Sequence, residues 1–203
     1  MKRCLSPAAM AALIAFQTPA LAQTSAASSP AVQAQLAAGR AAHDRKDFAG
    51  ALGAFRPLAD QGVSEAQFWI AVMAENAEGG PKDSAMAQTR FRKAADQGFA
   101  RAQRDLGLMY QDGEGVTKND VTAAAWYRKA SDQGYGPAQT SLAFAYALGK
   151  GVPDDIVQAD MWFILAAQWG VDEAADGRRL AKMNMTPAQI AGSQRLARAW
   201  KAK

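Results

Sequence analysis

Cysteine and histidine are nearly missing from this chain. Its 203 residues include one Cys, at position 4, and one His, at position 43. A lone Cys leaves no partner for a disulfide within the chain, and one His cannot make a zinc site alone. Ser-based catalysis would have to join His43 to a distant Ser, and no nucleophile elbow of the G-x-S-x-G kind is present. Long apolar runs are lacking too. Ala8 to Phe16 is a stretch of nine, well short of the roughly 20 residues that span a bilayer. Acidic residues do not occur before Asp44. A concentrated excess of one charge is also missing: the formal charge is +4, and without Lys2 and Arg3 it is +2. Phosphate binding needs clustered Lys and Arg, so nucleic acid is not an expected partner.

What the N-terminus does contain is the pattern of an export signal. Lys2 and Arg3 precede the apolar run, and Ala20-Leu21-Ala22 fits an A-x-A cleavage site. The expectation is a signal peptide at 1–22, cut after Ala22, and a periplasmic or secreted mature chain. Cys4 would leave with it, and no stable membrane insertion would follow cleavage. Residues 23–31 are small and polar and are expected to form a flexible linker.

Beyond that, the chain repeats. Gln-Gly occurs at Gln61-Gly62, Gln97-Gly98 and Gln133-Gly134, with a degenerate copy at Trp169-Gly170, always 36 residues apart. Ala66, Ala102, Ala138 and Ala174 keep the same step. A period of this length predicts stacked helical pairs, each burying its apolar face against its neighbours. The full units are 63–98, 99–134 and 135–170, followed by a shorter piece, 171–203. In each full unit one apolar-periodic helix spans about places 2 to 14, and a second about places 21 to 34. Gly107, where Ala71 and Ala143 stand in the other units, is expected to be kept small for close helix contact. Trp126-Tyr127, Trp162-Phe163 and Phe91 should fill the space between pairs. Gly113-Glu114-Gly115 and Gly149-Lys150-Gly151 read as turns, because a phosphate-cradling glycine loop needs a strand before it and here a helix precedes. Asn119 and Asp155 then stand at helix N-caps, which also accounts for the adjacent carboxylates of Asp154 and Asp155. Pro57 should bend or shorten the second helix of residues 32–62. Thr186 and Pro187 should start the last helix.

The phrase Ala102-Gln103-x-x-Leu106-Gly107-x-x-Tyr110-x-x-Gly113-x-Gly115-Val116, with Ala123, Trp126-Tyr127-x-Lys129-Ala130 and Gln133-Gly134, resembles a Sel1-like repeat, a relative of the tetratricopeptide repeat. Unit 135–170 matches almost as well. Unit 63–98 departs at Ala74, in place of Tyr, and at Ala77, in place of the first loop Gly. Residues 32–62 look like a tetratricopeptide-type pair, and 171–203 a C-terminal capping pair. The resemblance implies an all-α right-handed solenoid that acts as a scaffold or adaptor with no cofactor and no catalytic residues. Relatives are linked to surface signalling, exopolysaccharide production and cell-wall chemistry. Its partner would be a protein or peptide in the cell envelope; the alternative is an accessory role in cell-wall or exopolysaccharide metabolism, binding a glycan or a wall enzyme, and a hydrolase is the third and last reading.

Comparing units locates the expected binding face. Identical positions are scaffold, whereas places 3, 6, 7, 10 and 14 of the first helices vary on one stripe. That stripe holds Phe68, Trp69 and Val72, then Arg101, Arg104, Asp105 and Leu108, then Phe144. It is apolar at one end, charged in the middle and apolar again. First helices line the concave surface of a solenoid, so these eight residues are the candidate partner contacts.

Overall fold

A computed structural model describes residues 29–203, and within them all regular structure is helical. The expected export signal and most of the expected linker lie outside the described residues. The helices are α1 (Pro30–Asp44), α2 (Phe48–Asp60), α3 (Ser64–Glu75), α4 (Ser84–Asp96), α5 (Ala100–Asp112), α6 (Asp120–Asp132), α7 (Gly136–Leu148), α8 (Ile156–Ala167), α9 (Asp172–Lys182) and α10 (Pro187–Ala199). One correction falls at the linker's end. Pro30 and Ala31 are already helical, because Ser29 accepts a hydrogen bond from the Val32 N–H and Pro30 presets the first turn.

Consecutive helices pair as α1–α2, α3–α4, α5–α6 and α7–α8, and each pair stacks on the next through α2–α3, α4–α5 and α6–α7. The second helices start on a side-chain cap: Asp47, Asp83, Asn119 and Asp155 each accept from a first-turn N–H. The first helices end on a left-handed residue. Gly113 and Gly149 supply it in the second and third units, with φ of 79° and 61°. Ala77 must do the same at φ 59°. Pro57 does not shorten α2, which spans 13 residues as α4 and α6 do. Its missing N–H frees only one carbonyl, on a face where both Gly53 and Pro57 are exposed.

The core consists of the paired aromatics and the small residues facing them. Phe91, Trp126, Tyr127, Trp162 and Phe163 are all buried. A Cβ on Gly107 would stand 2.5 Å from the Tyr127 ring, which is why that place stays small. The loops stack as well: a Cβ on Gly151 would meet the Asp120 carbonyl oxygen at 2.0 Å, and one on Gly115 the Ser84 carbonyl oxygen at 2.4 Å.

Two ladders of polar side chains join the units. Gln67 donates to the Ala59 carbonyl and accepts from Gln97 at 3.0 Å. Thirty-six residues on, Gln103 donates to Ala95 and accepts from Gln133 at 2.7 Å. Gln139 donates to Ser131, but its buried Oε1 has no donor, because Trp169 stands where the next Gln would be. The second ladder pairs Arg92 with Tyr110 and Arg128 with Tyr146 through the tyrosine hydroxyls.

The end of the chain departs from a simple capping pair. Both α9 and α10 pack on α8. α9 takes the place of a first helix, while α10 lies over the face of α8 that α6 leaves to solvent. There Met161 and Leu165 are buried where α6 has the exposed Ala125 and Lys129. Asp160, fully buried, accepts from Arg178 of α9 and Ser193 of α10. Trp200 meets Trp162 edge to face at 6.0 Å, and Lys203 reaches Asp132 at 3.2 Å.

Candidate functional site

In the later units the first helices touch one another, α5 with α7 and α7 with α9, with no comparable contact from α4 to α6 or from α6 to α8. The curvature this implies puts the first helices on the inner face. Two cavities open there. The larger, about 540 Å³, lies among α5, α7 and α9 and is lined by Arg104, Leu108, Phe144, Leu148, Val171 and Glu173 among others. The smaller, about 290 Å³, lies between α3 and α5 and includes Val72, Glu75, Arg104, Asp105, Leu108 and Asp112. Arg104 and Leu108 belong to both, so the cavities form one groove crossing three units.

The groove has two chemically different ends. Its α7 end is apolar: Phe144 and Leu148 are exposed, at 38% and 62%, and Phe144 is propped edge to face against Phe163 at 5.0 Å. Its α3 end is lined by the carboxylates of Glu75, Asp105, Asp112 and Glu114, of which Glu75 and Glu114 pair with Lys82 at 2.6 and 3.5 Å and Asp105 pairs with Arg104. Arg104 donates to Asp105 at 2.9 Å, and its buried Nε–H has no partner. Burial pushes the Asp105 carboxyl above the ordinary carboxylate range, and the Arg104 hydrogen bond opposes this.

Five of the eight candidate contacts, Val72, Arg104, Asp105, Leu108 and Phe144, line this groove. The other three gather beside it as a packed cluster. Phe68 is a correction: it is buried at 3% exposure among Phe91 and Phe99 and presents no surface to a partner. Trp69 is half-buried, stacked on Phe55 at 5.8 Å and meeting His43 at a tilt, 4.9 Å between centroids. Arg101 lies over both rings, its Cζ 4.8 Å from the Phe68 centroid and 5.7 Å from that of Trp69. Their places in the stripe, 6, 7 and 3, border core and groove, where an aromatic turns inward and a long cation turns outward.

Sequence comparison missed Glu75, Gln111, Lys150, Val171 and Glu173 as lining residues. A signal for three of them was present. Glu75 and Gln111 hold place 13, one turn beyond place 10 on the same face, and Glu173 holds place 3 of the degenerate fourth unit.

His43 bonds Glu78 at 2.8 Å, packs against Phe48 and Trp69, and lines neither cavity of the groove. Among the described residues no three His, Cys, Asp or Glu side chains gather as metal ligands, and no helix is long and apolar enough to cross a membrane.

Comparison with known proteins fits this architecture. A Sel1 repeat protein from Oxalobacter formigenes superposes with a TM-score of 0.67 at 31% identity, over 71% of this chain and 60% of that one. A protective antigen present in uropathogenic Escherichia coli strains, which displays the SLR fold, gives 0.57 at 28% identity, over 75% of this chain and 40% of that one. The chain thus spans less than two thirds of either protein. No curated protein matches it. The Sel1 repeat model matches residues 64–99, 100–135 and 136–170, the three units whose glycine turns and glutamine ladder are described above. Sel1 repeat proteins are generally protein-interaction modules on a typically non-catalytic scaffold, and this chain belongs to the Sel1 repeat family.

Proposed function

We propose that the mature chain is an exported adaptor that holds a segment of a cell-envelope protein along its concave groove and thereby regulates that protein. The observation that carries this reading is the continuity of the groove: an apolar cavity and an acidic one meet at Arg104 and Leu108. Such a surface suits a peptide with an apolar anchor for the Phe144–Leu148 end and a basic side chain, some residues away, for Asp112, which pairs with no cation among the described residues. Arg104 then finds a backbone carbonyl or carboxylate for its unpartnered Nε–H, which is costly to bury alone.

The test is in-cell crosslinking and capture from envelope fractions, comparing the parent with a Phe144→Ser/Leu148→Ser variant and with Arg104→Ala. All three substituted side chains are at least partly exposed, so helicity and melting should stay near the parent's. A partner captured by the parent and lost from both variants is the expected result. A partner held equally by all three chains removes the groove as the site. Binding to purified sacculi with no protein captured would favour the glycan-binding role instead. Export is checked separately by the N-terminal mass of the mature protein, expected to begin at Gln23.

A further inference from the structure

The arginine–tyrosine ladder is incomplete in one unit, and the gap is a cavity. In the second unit Arg92 of α4 lies over the Tyr110 ring of α5 and the Trp126 ring of α6, its Cζ 5.6 and 5.3 Å from their centroids. The third unit repeats this with Arg128, Tyr146 and Trp162, at 5.4 and 5.0 Å. In both, the guanidinium also donates to the phenol oxygen. Each stack therefore combines a cation over two aromatic faces with a charged hydrogen bond.

The corresponding residues of the first unit are Arg56 on α2, Ala74 on α3 and Arg90 on α4. The arginine is kept, and both aromatics are gone. All three residues line a cavity of about 440 Å³ between α2, α3 and α4, whose apolar floor includes Leu52, Ile70 and Met73. Its volume falls within the roughly 300–1,000 Å³ of ligand sites. Arg90, no longer a Trp, turns to Asp60 at 3.7 Å. Arg56 is exposed and makes no hydrogen bond, ion pair or ring contact among the described residues. The cavity shares no residue with the concave groove, and the two use different faces of α3: Ile70, Met73 and Ala74 here, Val72, Glu75 and Asn76 there.

We propose that this cavity binds a tyrosine side chain of a partner polypeptide, which takes the place that Tyr110 and Tyr146 occupy in the other units. Its ring would lie under Arg56 against Ala74 and Leu52, and its hydroxyl would accept from the Arg56 guanidinium. The chain shows the same recognition twice, with the tyrosine supplied internally. A leucine offers neither the π-face nor the acceptor and should not compete.

The experiment is a titration of the ¹⁵N-labelled full chain with N-acetyl-L-tyrosine amide, and in parallel with N-acetyl-L-leucine amide, followed by amide chemical shifts. Expected is a saturable shift of the Arg56, Ala74 and Gly79 signals with the tyrosine amide alone. Arg56→Ala should weaken that binding by about tenfold, from loss of the cation–π contact and the charged hydrogen bond. Ala74→Tyr, which restores the residue of the other units, should abolish it and raise the melting temperature. Should Ala74→Tyr fold poorly, the exposed Arg56→Ala position still decides. Equal response to the leucine amide, no saturable response, or unchanged affinity in Arg56→Ala would each overturn the proposal. Arg104→Ala should leave the tyrosine titration intact, so loss of the concave-groove reading and loss of this one are separately visible.

Discussion

Ala77 is the residue at which this chain departs most plainly from its own pattern. It holds φ at 59°, where Gly113 and Gly149 close the equivalent helices. A side chain with a Cβ costs roughly 1–2 kcal/mol there. Ala77→Gly should therefore stabilise the protein by about 1 kcal/mol, read as a higher urea midpoint with unchanged slope, and a lower midpoint would refute the strain. Gly151→Ala should act the other way and more strongly, because its Cβ would run into the Asp120 carbonyl as well as a positive φ of 71°. Asp105 gives a pH signature. Its carboxyl is raised by burial, so between its ordinary value near 4 and its folded value the native chain binds more protons than the unfolded one. Stability attributable to it is thus lost as pH rises through that interval. Asp105→Asn should gain on the parent in urea midpoint at pH 7 compared with pH 4, and a gap that does not change with pH would contradict this.

At the scale of helices and their junctions, the glutamine ladder separates scaffold from coincidence. Gln103 has both its donor and its acceptor engaged, the first across a unit boundary to Ala95 and the second within its unit to Gln133, whereas Gln139 lacks a donor for Oε1. Replacing Gln103 by Leu should cost about 1–3 kcal/mol, since it removes both hydrogen bonds. Gln139→Leu should cost measurably less, because one unpaired buried oxygen leaves with it. Equal losses would show that the ladder does not carry the difference. These helices were largely legible beforehand: a 36-residue recurrence of Gln-Gly, Ala-Gln and the turn glycines locates each helix pair, and Asn119 and Asp155 mark their own caps. The stripe facing the groove was legible only in part. Periodicity gives which residues share a helix face but not how far that face rotates toward the neighbour. Phe68 and Arg104 hold equivalent places, yet one is in the core and the other in the groove. The shortening expected at Pro57 does not occur for a related reason, since the cost of a proline depends on whether water reaches the carbonyl it frees.

For the molecule as a whole, the least legible feature is where α10 goes. Its cap at Thr186 and Pro187 can be read directly, and the structure adds a capping box with Gln189. Nothing in its own sequence says that it turns back over α8. The signal sits elsewhere, in α8, where Met161, Ile164 and Leu165 replace the Ala125, Arg128 and Lys129 of α6. Ending the chain after Met183 would uncover that face and leave the buried Asp160 without Ser193. The truncated protein should melt lower and bind a hydrophobic dye, and an unchanged melt would mean that α10 is an ornament on an already sealed end. The unit interfaces have a further consequence. Each one reads the same few contacts at the same 36-residue offset. Duplicating 99–134 would therefore present every boundary with a partner it already fits and lengthen the concave surface by one helix pair. Inserting a single residue into α5 would break the glutamine, glycine and arginine–tyrosine registers together. In evolution such a chain changes length by whole units and resists change by single residues, so the reach of its binding surface varies in quantised steps.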